Sequence, residues 1–151
     1  MRIRNGFVSN SSSSSFIVIS HGPITPIQFA DNTVNVGAHN GGECEFEWSR
    51  FTYYDFLSKL NFCVLQIEYK RSSDWLVMLI NVLQEVCGKV YLRNMFKYDE
   101  FEGKYYIDDG FIDHASAASE GACIEMFADE NTLKQFLFCN DSYIQTCNDN
   151  E

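Results

Sequence analysis

Apolar and polar positions follow two different periods along this chain, and the changes of period divide it into elements. Residues 15–20, SFIVIS, are a short β-branched run stopped by His21, Gly22 and Pro23, the pattern of a buried strand. Residues 33–36, TVNV, form a second candidate strand. In residues 43–48, ECEFEW, the alternation is strict: Cys44, Phe46 and Trp48 fall on one face, and Glu43, Glu45 and Glu47 on the other. One face of that strand is expected to meet the core while the other carries a row of carboxylates.

Beyond this point the period becomes helical. Tyr53, Phe56, Leu57, Leu60, Val64 and Ile67 recur at helical spacing, and Thr52 with Asp55 has the spacing of a capping box, which predicts a helix over about 53–69. A second helix starts after Ser73, with Asp74 in its first turn, and runs to Gly88. Its apolar residues cover nearly the whole circumference, so it is the expected central buried helix. KVYLR at 89–93 and KYYI at 104–107 read as strands, and YYIDDGFID at 105–113 carries the Asp-Gly signal of a hairpin. A short helix over 130–138, capped by Asp129, precedes a turn at 139–142 and the apolar YIQTC at 143–147.

Strands and helices cluster instead of alternating, which predicts an α+β fold: one domain whose mainly antiparallel sheet packs on two central helices, with a short C-terminal helix. A chain of 151 residues fits one such domain, expected over residues 16–151 behind a serine-tract arm at 1–15. With 46% hydrophobic and 15% aromatic residues it is too apolar for a disordered chain. No apolar run reaches bilayer length and no secretory signal opens the chain, so the expected location is the cytoplasm of a bacterial host cell, away from membranes. Cys44, Cys63, Cys87, Cys123, Cys139 and Cys147 are scattered without C-x-x-C pairs or zinc spacing and are expected to be buried free thiols.

Charge changes the picture more than composition does. Residues 1–96 hold eight basic and eight acidic side chains, whereas residues 97–151 hold three against thirteen, which accounts for the whole net charge of −10. A field of that sign repels nucleic acid and anionic membrane and attracts basic surfaces, so direct DNA or RNA binding is not expected. Residues two apart on a strand lie about 6.6 Å apart on one face. Glu43, Glu45 and Glu47 would therefore make a straight anionic row, able to imitate a nucleic-acid backbone in the basic groove of a host protein; the plain alternative is an edge strand defended by charge.

The tract from Ser11 through Ser12, Ser13 and Ser14 to Ser15 has three possible fates. It is a disordered arm that is modified, cleaved or recognised; it packs back on the domain through hydroxyl-to-backbone bonds; or, with Arg2 and Arg4, it cradles an anion. The Gly-x-x-x-x-Gly-Lys-Ser/Thr spacing of a phosphate loop is missing. Residues 4–18, RNGFVSNSSSSSFIV, resemble the opening of a loose set of small, largely uncharacterised proteins of bacteriophages and some bacteria. FIDHAS at 111–116 and FLFCNDSYIQTCNDN at 136–150 are also similar to parts of such proteins. The resemblance implies a phage or mobile-element origin, and an accessory protein that redirects a host protein.

Asp113, His114 and Ser116 supply the residue types of a nucleophilic triad, but residues so close in sequence rarely reach triad geometry, and no G-x-S-x-G elbow accompanies them. Asp108, Asp109, Asp113, Asn140, Asp141, Asn148 and Asp149 offer oxygen ligands without calcium-loop order, and GAHNGG at 37–42 is a loop and not a nucleotide fingerprint. Neither metal nor cofactor is expected. The expected function is that of a small acidic phage-encoded accessory protein that inhibits or redirects a host protein with a basic surface. The alternatives are a hydrolase or transferase centred on His114, and a virion or assembly component.

Overall fold

The computed structural model describes residues 13–37, 40–46, 50–93, 97–106, 111–112 and 124–148. The fold is α+β. Strands β1 (Ser13–Val18), β4 (Thr52–Tyr53) and β9 (Tyr143–Asn148) form an antiparallel sheet in the order β1-β9-β4. Serine backbone at 13–15 is part of this ladder, Ser13 lying opposite Asn148 and Ser15 opposite Thr146.

Two short parallel pairs flank the sheet: β2 (Thr33–Asn35) with β5 (Tyr91–Arg93), and β3 (Glu45–Phe46) with β8 (Phe111–Ile112). Strands β6 (Lys97–Asp99) and β7 (Lys104–Tyr106) close an antiparallel hairpin whose turn uses Gly103 at a φ of 65°. Among the described residues, the strands on either side of the predicted Asp109-Gly110 hairpin are not paired with each other. The turn itself lies outside the described residues, and the flanking strands pair elsewhere, β7 with β6 and β8 with β3.

Helix α1 (Phe56–Lys70) starts three residues later than its periodicity predicts, because residues 52–53 are strand and Asp55 is the cap. The Asp55 Oδ2 accepts from the Ser58 amide at 2.9 Å and from its hydroxyl at 2.7 Å. At the other end Arg71 turns left-handed at a φ of 56°, its amide and that of Ser72 closing on Ile67 and Glu68 carbonyls in the manner usually reserved for glycine. Arg71→Gly is therefore expected to raise stability by up to about 1 kcal/mol in urea unfolding. Ser72 then caps α2 (Ser73–Cys87) through the Trp75 amide, and Gly88 ends it in a backbone conformation that favours glycine. Helix α3 (Glu130–Phe138) is capped by Asp129, whose carboxylate accepts from the amide and hydroxyl of Thr132. Those bonds hold the Asp129 carboxyl below its usual range.

The central helix is α1 and not α2. Every residue from Ser58 to Ile67 is buried, whereas α2 buries Leu79, Val82 and Leu83 and leaves Val77 more than half exposed. Polar side chains inside α1 disguise its position. Ser58, Lys59 and Asn61 look like a solvent face in sequence, but each has partners within the fold. Around α1 the core collects Ile17, Val34, Phe46, Leu79, Phe136 and Ile144 from strands and helices alike, with Phe46 edge-on to Phe62 at 4.9 Å. Trp75 stacks flat on Phe127 at 4.3 Å, joining α2 to the 3-10 turn ahead of α3.

Candidate binding surface

The N-terminal half of α1 is tied to Gly37, Asn40 and Glu43 by one buried amide. The Asn61 Oδ1 accepts from the Gly37 amide and from Asn40 Nδ2, both at 2.9 Å, while its Nδ2 donates to Asn40 Oδ1 and to the Glu43 carbonyl. All four bonding positions of a 1% exposed side chain are thus filled. Gly37 and Gly41 supply the positive φ values, 107° and 92°, that bring the chain back onto the helix. Gly42 supplies space: a Cβ there would stand 2.6 Å from the Ser58 nitrogen.

Asn40 also lines a cleft of about 510 Å³. Ile27, Phe29, Phe56 and Leu57 give it half-buried apolar surface, while Asn40 and Asp55 stand among its polar groups. Phe29 and Phe56 lie tilted at 5.7 Å, and Phe56 stacks in turn on Phe138 at 5.1 Å, so the aromatic floor is backed by the core. The N-terminal turn of α1 is closed by its own cap, Asp55.

The predicted carboxylate row has one exposed member among the described residues. Glu45 is exposed on β3, with Cys44 and Phe46 buried on either side as the alternation requires. Glu43 precedes the strand and turns back: its Oε2 accepts from the Glu45 amide at 3.0 Å, and its Oε1 faces the Tyr53 hydroxyl at 3.5 Å. Burial, reinforced by the Glu43 charge, pushes the Tyr53 phenol up to about 12. Glu47, Arg2, Arg4, Ser11 and Ser12 lie outside the described residues, as do Asp113, His114 and Ser116; Ser13, Ser14 and Ser15 are placed by their backbone alone. In the acidic last third, Glu100, Glu102, Asp129, Glu130 and Asp141 are exposed. Lys134 pairs with Glu85 of α2 at 2.7 Å.

Sequence reasoning missed Lys59. It is 1% exposed, and its Nζ donates to the carbonyls of Cys139, at the end of α3, and Ser142, just before β9, at 3.1 and 3.0 Å. Carbonyls at a helix C-terminus suit a cation. Burial nonetheless pulls the ammonium down to about 8, with the neighbouring Cys139, Asp55 and Cys63 acting the other way. The available signal is positional: Lys59 falls between Phe56 and Cys63 on one stripe of the helix. Cys63 beside it is fully buried and its thiol is pushed up by desolvation; Cys44 and Cys139 are buried as expected, whereas Cys87 is only half-buried, and the Cys123 and Cys147 side chains lie outside the description.

Among the described residues no group of three or more His, Cys, Asp or Glu side chains could hold a metal ion, and no helix is long and apolar enough to cross a membrane. Comparison with protein-family models, with curated proteins and with solved structures finds no match to this chain.

Proposed function

We propose that the chain is a phage-encoded accessory protein that binds a basic surface of a host protein in the bacterial cytoplasm and thereby inhibits or redirects it. The observation that carries this reading is the segregation of charge: residues 97–151 hold thirteen acidic against three basic side chains. Exposure of Glu100, Glu102, Asp129, Glu130 and Asp141 supports it, as does the pairing of Lys134, one of the three cations, with a carboxylate from outside the segment. An exposed anionic field accelerates encounter with a basic partner and rejects nucleic acid, which is also how a protein occupies a groove built for a phosphate backbone. The phage origin rests on the resemblance of the serine-rich opening.

Charge reversal is not needed to test this. Changing Glu45, Glu100 and Glu102 to Gln and Asp141 to Asn together removes four exposed charges without touching the core. Capture of a host protein from lysate is expected to fall by at least about tenfold, since rim charges act mainly on association. Undiminished capture by this variant would mean that the acidic surface is solubility charge and nothing more.

A further inference from the structure

The cleft beside α1 has the size of a ligand pocket, about 510 Å³ against the roughly 300–1,000 Å³ usual for such sites. Among the described residues its charge has one sign: Asp55 lines it and no lysine or arginine does. The capping bonds from Ser58 both end on Asp55 Oδ2, and Oδ1 has no donor among the described residues. An exposed carboxylate oxygen therefore stands at the edge of a partly apolar, aromatic-floored hollow. An anion entering there would meet Asp55 unfavourably, and a purely apolar group would strip water from the exposed Asp55 Oδ1 without replacing it. A guanidinium or ammonium on an apolar stem satisfies both parts of the lining, because the stem packs on hydrophobic surface and the planar cation lies against aromatic faces.

We propose that the cleft seats an arginine- or lysine-bearing segment of the protein partner, the basic side chain lying along Phe29 and Phe56 with its charge at Asp55. The inference rests on the reading that the partner is basic, and it gives that partner a specific anchor. One such side chain fills only part of the volume, so an apolar neighbour of the basic residue enters beside it, against Ile27 and Leu57.

The test uses the full chain and a defined probe, Ac-Arg-Leu-NH2, with Ac-Glu-Leu-NH2 as control, followed by amide NMR. The arginine peptide is expected to shift the amides of Phe29, Asn35, Phe56 and Leu57 saturably, and the glutamate peptide to leave them in place. Asp55→Asn keeps an N-cap acceptor while deleting the charge, and should weaken binding about fivefold while the fold, lowered only slightly in stability by loss of the charge near Lys59, stays cooperative in unfolding. Phe29→Ala should weaken it as well through loss of the aromatic face. Absence of cleft shifts at millimolar peptide, equal binding of the two peptides, or an Asp55→Asn variant that binds like the wild type would each overturn the proposal. Peptide binding without any salt-sensitive host partner would overturn the functional reading and leave the cleft assignment standing. Host capture that falls with the surface-charge variant but not with Asp55→Asn would do the reverse.

Discussion

Gly42→Ala is expected to destabilise the fold by about 3 kcal/mol, the upper part of the usual range for forcing atoms into packed space. The added methyl would lie 2.6 Å from the Ser58 nitrogen, 2.7 Å from the Leu57 carbonyl carbon and 2.8 Å from the Leu57 Cβ. Two of those three atoms are helix backbone, so no side-chain rotation relieves the contact. The chain at Gly42 must lift from α1, which breaks the Asn40 and Asn61 bonds and shifts Asn40 in the cleft lining. Gly41→Ala is the internal control. It meets nothing within 4 Å and suffers only from its φ of 92°, so its cost should be nearer about 1 kcal/mol. Urea unfolding of both variants checks the order; equal losses would mean that Gly42 is not seated on the helix.

Lys59→Ala carries the second large effect, also about 3 kcal/mol, from a core cavity and the loss of the donor to two carbonyls. Lys59→Met, which restores most of the volume, should recover part of it. The same residue imposes a pH dependence of definite sign. Its pKa falls from 10.5 in the unfolded chain to about 8 in the fold, so between these values the unfolded state binds the extra proton. Stability from this group therefore rises with pH across the window from about 8 to 10.5, by roughly 3 kcal/mol. The thiol of Cys63, raised by burial, contributes with the opposite sign as pH climbs past its unfolded value. The Lys59 effect is accordingly read as the difference between wild type and Lys59→Met. A difference that stays flat from pH 8 to 10 would show that burial does not lower the Lys59 pKa in the fold.

Local signals in the sequence located most elements, because they depend on neighbouring residues. The Ser-Phe-Ile-Val run, the Asp129 cap, the Gly88 stop and the buried Cys44 and Phe46 are all legible from short spacings. What depends on distant partners was not. Helix α1 looks amphipathic until the carbonyls of Cys139 and Ser142 and the Gly37 amide are brought to its polar side chains from up to 83 residues away. Likewise Asp109-Gly110 announces a hairpin, but Phe111–Ile112 pairs with the half-buried strand at Glu45–Phe46. The cleft is assembled from Ile27, Phe29, Asn40 and the start of α1, a combination that no spacing announces. The acidic charge of the last third, by contrast, is countable from the sequence, since net charge by segment needs no folding.

The exposed acidic residues of the last third are proposed to recognise a basic host protein. The most direct measurement is capture of host proteins on the C-terminally tagged chain at low and at high salt, with the bound fraction identified by mass. One host protein should be retained at about 50 mM salt and lost near 500 mM, where the screening length falls to a few ångströms. A partner retained equally at both concentrations, or no partner at either, would contradict the account.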